Sequence, residues 1–271
     1  MRNISKTIKN QDPEEWRNIF RISLKIIGIG FIAGLILIFI LSRGLPSIEQ
    51  LENFDPDLVT QIYSRDGVLI DQLFQTKRVF VKLDSIPEYM QDATVASEDK
   101  RFYRHWGLDF RSFVRALTIN IVSLSYEQGF SSITQQLARN LYETIGFKNS
   151  IWRKIKEIIT AIQIERTYTK KEILGMYLNT VHFGHGTYGV EAATKKFFRK
   201  KVSHLTLGES AMLVGLLPSP ASYSPINHWG RAVNRRDIVL NLMLNQGYIN
   251  DAERDSAMAM VEFDMPEMAS T

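Results

Sequence analysis

The sequence predicts a mainly α-helical domain that carries a small β-hairpin and is preceded by one transmembrane helix. Three observations predict it: an uncharged apolar run, "IIGIGFIAGLILIFIL", from Ile26 to Leu41; apolar residues recurring at helical spacing through the chain beyond residue 109; and the pair Asp66-Gly67 set between two apolar runs. With 271 residues, 45% of them hydrophobic, the chain can bury one sizeable core. The absence of cysteine excludes disulfides, zinc ribbons and cysteine nucleophiles. A net charge of +4 favours anionic partners such as phosphate groups or membrane surfaces and is too small to argue for nucleic acid.

Counted from Ile22, with Lys25 snorkelling, the apolar run reaches the ~20 residues a membrane span needs, so residues 22–42 are expected to form an anchor. Arg2, Lys6, Lys9, Arg17, Arg21 and Lys25 precede it, whereas Glu49, Glu52, Asp55 and Asp57 follow Arg43, which puts residues 1–21 in the cytoplasm and the rest outside. "LSRGLPS" offers no small-x-small cleavage site, so the anchor is expected to stay uncleaved. Residues 43–60, with Gly44, Pro46 and Pro56, read as a juxtamembrane linker, and a β-ribbon is expected near 61–82. A domain over 61–250 then reads as helical. Asp109 is a plausible N-cap for the stripe Phe110, Phe113, Val114, Leu117 and Ile121, and Ile151, Ile155, Ile158, Ile159 and Ile162 form a second stripe. The run Ala116 to Phe130, with Ile119, Ile121, Val122 and Leu124, holds more apolar surface than a solvated loop needs and is expected to touch lipid. Residues 251–271 lose the aliphatic stripe and read as a tail or the start of a linker.

The acidic residues divide by whether capping explains them. Thr169 with Glu172, Thr206 with Glu209 and Ser132 with Gln135 fit the capping box, which satisfies orphan helix N–H groups without any chemistry. Glu98 and Asp99 have no such explanation; they sit side by side after a small apolar run, among Lys100, Arg101, Arg104 and His105, either in a solvated loop or in a site. Glu157 shares a helix face with Arg153, Thr160 and Ile164, opposite the isoleucine stripe; an i, i+4 surface pair with Arg153 is the plain alternative, but Ile164 argues against open solvent.

Three patterns are set aside. "GHGTYG", with Gly184, Gly186 and Gly189, matches a dinucleotide fingerprint by letter but lacks a βαβ unit and reads as a tight turn. His182 and His185 have no third metal ligand nearby, and Ser97-x-x-Lys100 lacks the companion motifs of a serine acyl-enzyme.

Five ordered stretches resemble the peptidoglycan glycosyltransferase module of bifunctional penicillin-binding proteins and monofunctional transglycosylases. They are "ATVASEDKRFYRHWGLDFRSFVRA", "GFSSITQQLARNLY", "RKIKEIITAIQIERTYTKKEILGMYLNTVHFGHGTYGVEAA", "LTLGESAMLVGLLPSPASYSP" and "RRDIVLNLM", and the pattern covers about Ile62 to Tyr248. The resemblance implies a lysozyme-like, two-lobed fold and the polymerisation of lipid II into β-1,4-linked glycan strands with inversion and release of undecaprenyl pyrophosphate. It implies catalytic roles for Glu98, as the base, and Glu157, near the leaving pyrophosphate, with Asp99 supporting the site. Ser132, Gln135, Gln136, Arg139, Asn140, Lys148, Arg153 and Lys154 complete the implied substrate-binding set. Arg139 stands where the family more often has lysine, and Lys148 aligns only approximately because the intervening spacing is longer. Phe130 and Ser132 depart from a commoner glycine-rich, threonine-containing pattern. No cofactor is required, although a divalent cation (Mg2+ or Mn2+) at the pyrophosphate is compatible with the chemistry. The implied partners are lipid II, the growing glycan strand, the membrane and other cell-wall synthesis proteins, at the bacterial inner (cytoplasmic) membrane with the catalytic domain on its extracytoplasmic side.

Overall fold

The computed structural model describes residues 13–42, 45, 60–63, 69–73, 79–123, 131–144 and 151–259. Two units are distinguished, residues 1–45 and 46–271. The first contains one helix, α1 (Pro13–Ser42), started by a proline whose missing N–H is no loss in a first turn. Its stretch Trp16–Ile36 is long and apolar enough to cross a membrane, with a mean hydropathy of 2.0. The helix thus begins earlier than the expected anchor at Ile22 and carries Arg17 and Arg21 within it.

The second unit opens with the expected hairpin. Strands β1 (Thr60–Tyr63) and β2 (Leu69–Leu73) pair antiparallel in the register Thr60↔Leu73 to Ile62↔Asp71. The Asp66-Gly67 turn lies outside the described residues. Helices then dominate: α2 (Glu88–Glu98), α3 (Phe110–Ser123), α4 (Ile133–Thr144), α5 (Ile151–Thr167) and α6 (Lys170–Thr180) precede a minimal hairpin of β3 (His182–Gly184) and β4 (Thr187–Tyr188). After it come α7 (Val190–Phe198), α8 (Leu207–Leu216), α9 (Pro220–Tyr223), α10 (Trp229–Asn245) and α11 (Asp251–Ala259).

Helix α8 is apolar around nearly its whole circumference, and nearly all of it is buried between α2 and α10. Gly215 makes the approach of α10 possible, since a Cβ there would meet the Arg235 Cβ at 3.0 Å. A second group, α4 with α5 and α6, packs through Leu137, Ala161, Ile164, Ile173 and Tyr177 into the same core. Both predicted capping boxes form, Thr169 with Glu172 on α6 and Thr206 with Glu209 on α8.

Three expectations need revision. In α5 it is the polar face that turns inward: Glu157, Thr160, Ala161 and Ile164 are buried, while Ile155, Ile158 and Ile159 are only half-buried and Ile162 is exposed. Alternation of apolar residues cannot tell which face α4 will cover, and here α4 brings polar partners for Glu157. In α3, Asp109 does cap, accepting from the backbone N–H groups of Arg111 and Ser112, yet Phe110 and Val114 are exposed and Ala116 is the buried residue. The side chains of Leu117, Ile121, Val122 and Leu124, and most of the run to Phe130, lie outside the described residues. The expected tail begins instead as α11, where Ala257 is buried against Gly208 of α8.

One glycine fixes the entry to the site. Gly107 has φ +81°, and a Cβ on it would meet the backbone C and O of Ala161 at 3.0 Å. Gly107→Ala should therefore cost more than ~1 kcal/mol of stability, read as a lowered melting temperature, and should also slow turnover, because the Gly107 carbonyl accepts from both Ser132 Oγ and Gln135 Nε2.

Candidate active site

Helix α2 ends at Glu98, and Asp99 follows as its C-cap. Buried Asp99 turns inward and accepts from His105 Nε2 at 2.9 and 3.0 Å and from the backbone N–H of Ile133 at 3.1 Å. That N–H is an orphan of the first turn of α4, where the helix dipole also favours a carboxylate. Asp99 therefore ties the end of α2 to the start of α4. From the same first turn of α4, Thr134 Oγ1 donates to Glu165 of α5, which also pairs with Lys170 of α6 at 2.7 Å. Lys170 Nζ in turn lies 4.4 Å from the ring centroid of buried Phe102.

Half-buried Glu98 faces the first turns of α4, where Gln136 Nε2 donates to its Oε2 at 2.9 Å. Burial raises the Glu98 pKa above the ordinary carboxylate range and the Asp99 charge adds to the rise, against the Gln136 hydrogen bond and the charges of Arg235 and Arg139. Such a carboxylate is better matched to taking a proton near neutral pH than an ordinary one. A cavity of about 230 Å³ opens beside it, lined by Glu98, Lys100, Asp109, Arg115, Ser131 and Leu242 among others. A larger hollow of about 890 Å³, around Tyr89, Asp92, Tyr103 and Lys201, contains none of the predicted site residues.

Glu157 is 1% exposed and is surrounded by three cations. Arg153 Nε lies 3.0 Å away, Lys154 Nζ 3.4 Å and Arg139 Nε 3.8 Å. Ser131 Oγ accepts from both Lys154 Nζ, at 2.7 Å, and Arg139, at 3.1 Å, and Gln135 Oε1 accepts from Lys154 at 3.2 Å. One carboxylate against three cations leaves an excess of positive charge, which suits a doubly charged phosphate group. Burial, with help from Arg139 and Arg153, lowers the Lys154 pKa, and Glu157 opposes that drop. Arg139 links the two centres, since its charge acts on Glu98 while its guanidinium pairs with Glu157.

The donor set around Glu157 does not suit a resident divalent cation, because its carboxylate is already engaged by three cations. Among the described residues there is no grouping of three or more His, Cys, Asp or Glu fit to hold a metal. His185 instead bonds Ser224 at 2.7 Å, and the His182 ring packs at a tilt against Tyr188, with centroids 4.6 Å apart. "GHGTYG" forms the β3–β4 turn, with positive φ at Gly184, His185, Gly186 and Gly189.

Of the predicted residues, Glu98 and Gln136 thus meet at one centre, and Glu157, Arg139, Arg153, Lys154 and Gln135 meet at the other, with Arg139 acting on Glu98 through its charge. Ser132 is the N-cap of α4, accepting from the Gln135 N–H at 3.2 Å, but the Gln135 side chain goes to Gly107 and Lys154 and leaves the reciprocal half of the box unmade. Asn140 reaches Thr180 at 3.5 Å, a tie between α4 and α6. Lys148 lies outside the described residues. Sequence reasoning missed His105, Ser131, Tyr177 and Arg235. Arg235 opens "RRDIVLNLM", and Ser131 adjoins Ser132, so position within the quoted motifs was the available signal.

The transglycosylase family matches residues 66–244, and the chain belongs to that family, whose class of enzyme is peptidoglycan glycosyltransferase. Among its relatives are penicillin-binding protein 1A of Neisseria flavescens, 40% identical over 235 residues (87% of this chain, 29% of that one), and of Aquifex aeolicus, 41% identical over 228 residues (84% and 31%). The chain spans about 30% of the length of these relatives. A crystal structure of penicillin-binding protein 1A from Haemophilus influenzae aligns over 74% of this chain and 20% of its own, at 26% identity with a TM-score of 0.44.

Proposed function

We propose that this chain polymerises lipid II. The 4-hydroxyl of the GlcNAc in one lipid-linked disaccharide-peptide attacks the anomeric carbon of the MurNAc that ends the growing strand. A β-1,4 bond forms with inversion, and undecaprenyl pyrophosphate leaves. Glu98 takes the hydroxyl proton as that bond forms, and Arg139, Arg153 and Lys154, held by Glu157, stabilise the charge that develops on the pyrophosphate. The observation that carries this reading is the pairing of a carboxylate of raised pKa with a cationic cluster reached through one shared arginine, Arg139. Inverting sugar chemistry calls for a base on one side of the ring and stabilisation of the leaving group on the other. A lysozyme-like hydrolase would have no use for the cations, and a non-catalytic scaffold none for the raised Glu98. Purified protein given labelled lipid II should yield polymer; hydrolysed fragments or unchanged precursor would overturn the reading.

The same reading puts the domain outside the cytoplasmic membrane, tethered by α1, with an apolar face on the lipid. Trp106 is 85% exposed and Phe110 66%, with exposed Val114 one turn further on and exposed Arg111 and Arg115 on the same helix. Exposed aromatics bordered by arginines suit an anionic bilayer surface. Phe110→Ser with Val114→Ser should lower activity on long-chain lipid precursor severalfold relative to a short-chain analogue, with an unchanged melting temperature. Equal loss on both substrates, or a collapsed melting temperature, would count against lipid contact.

A further inference from the structure

Tyr177 is fully buried in α6, and its hydroxyl donates to Gln136 Oε1 at 3.0 Å. The other end of that amide, Nε2, is the donor to Glu98. The two ends of a glutamine amide have nearly the same shape, so packing alone does not decide which one faces a neighbour; hydrogen-bond partners do. We propose that Tyr177 is a positioning residue for glycosyl transfer, its hydroxyl holding the Gln136 amide with the NH2 end toward Glu98. The inference rests on the reading of Glu98 as the base.

The chemistry of the three groups supports one orientation. A phenol in this position keeps its proton at any working pH, since burial and then the nearby Glu98 charge hold its pKa well above the ordinary value. It therefore has a proton to place, and Gln136 Oε1 is the acceptor. With the amide reversed, the phenol proton would face an NH2 group and the Glu98 carboxylate would face a carbonyl oxygen. A buried donor without an acceptor and two opposed oxygens are both costly. The charges that face Glu98 are Asp99 from its own turn, Arg139 from α4 and Arg235 from α10, and none of them depends on which way the amide points. Among the influences that oppose burial at Glu98, the Gln136 hydrogen bond is the largest. Fixing the amide thus sets how readily the base stays ionised.

The sign of the effect follows. Polymerisation requires ionised Glu98, so kcat/KM rises with pH through the pKa of that group. Without the phenol hydroxyl the amide is free to turn over, the carboxylate loses its donor, and its pKa goes up. In the full chain, Tyr177→Phe should move the acid limb of the kcat/KM profile for labelled lipid II upward by about one pH unit, with a smaller change on the plateau. Replacing Tyr177 with difluorotyrosine, a stronger donor of nearly the same shape, should move the limb downward and keeps the question open to measurement if the phenylalanine variant folds poorly. In a Gln136→Met background, Tyr177→Phe should produce no further shift. A limb that stays in place in both Tyr177 variants, or a second shift in the Gln136→Met background, would overturn the proposal. An active Glu98→Gln variant would instead remove the base reading itself, whereas an inactive one beside an unmoved limb would remove only the role of Tyr177.

Discussion

Glu98→Gln should lower glycan polymerisation by about 10²–10⁴-fold, the range expected when a general base is removed, while the protein stays folded. The two side chains have almost the same shape, so the cavity beside Glu98 keeps its lining and Gln136 keeps a neighbour to bond. Stability is expected to hold or to rise slightly at neutral pH. The folded-state pKa of Glu98 is raised, so ionising it in the native cleft costs more than in the unfolded chain, and a neutral amide removes that cost. A slow but well-folded variant is therefore the expected result, read by polymer formation from labelled lipid II and by a thermal melt. Near-normal turnover would show that another group takes the proton.

Much of the helical architecture could be read from the chain because it is written in local chemistry. The Thr169–Glu172 and Thr206–Glu209 boxes need only three-residue spacing, and Asp109 announces the start of α3 in the same way. Capping set Glu172 and Glu209 aside, and the structure forms both boxes, while Glu98, Asp99 and Glu157, which no box explains, take partners distant in sequence in Gln136, the Ile133 N–H and Arg139. What the chain did not disclose is which face a helix turns inward. The isoleucines of α5 form the tidier stripe, yet α4 covers the opposite face, because burying Glu157 is tolerable once Arg139, Arg153 and Lys154 are gathered around it. His105, Tyr177 and Arg235 were missed for a related reason. Each acts on a residue far from it in sequence or across a turn, and only folding brings Tyr177 of α6 to Gln136 of α4 or the charge of Arg235 to bear on Glu98.

Glu157→Gln should be as damaging to turnover as the loss of the base, by a different route. The carboxylate is buried and holds Arg153 at 3.0 Å, Lys154 at 3.4 Å and Arg139 at 3.8 Å. An amide can keep hydrogen bonds to some of these groups but leaves their charges uncompensated. Breaking a buried ion pair costs about 3–5 kcal/mol, and the partial exposure of all three cations, with side-chain exposures of 14% to 34%, argues for the lower end here. The charges are expected to respond in two ways. Arg139 and Arg153 move apart, which spoils the geometry around the leaving pyrophosphate and should cost at least ~10²-fold in kcat, the scale of one lost electrostatic stabiliser. Lys154, whose pKa burial already lowers, loses the group that opposes the drop, so it sheds its proton at a lower pH. Glu157→Gln should therefore lose its residual activity toward alkaline pH sooner than the wild type does, a shift of the basic limb rather than the acid one. Glu172→Gln provides the contrast. Glu172 is an exposed cap on α6, bonded to Thr169, and its replacement by an amide that can still cap should leave turnover unchanged. If Glu172→Gln, stably folded, reduces kcat as much as Glu157→Gln does, the division of these acids into caps and site residues fails.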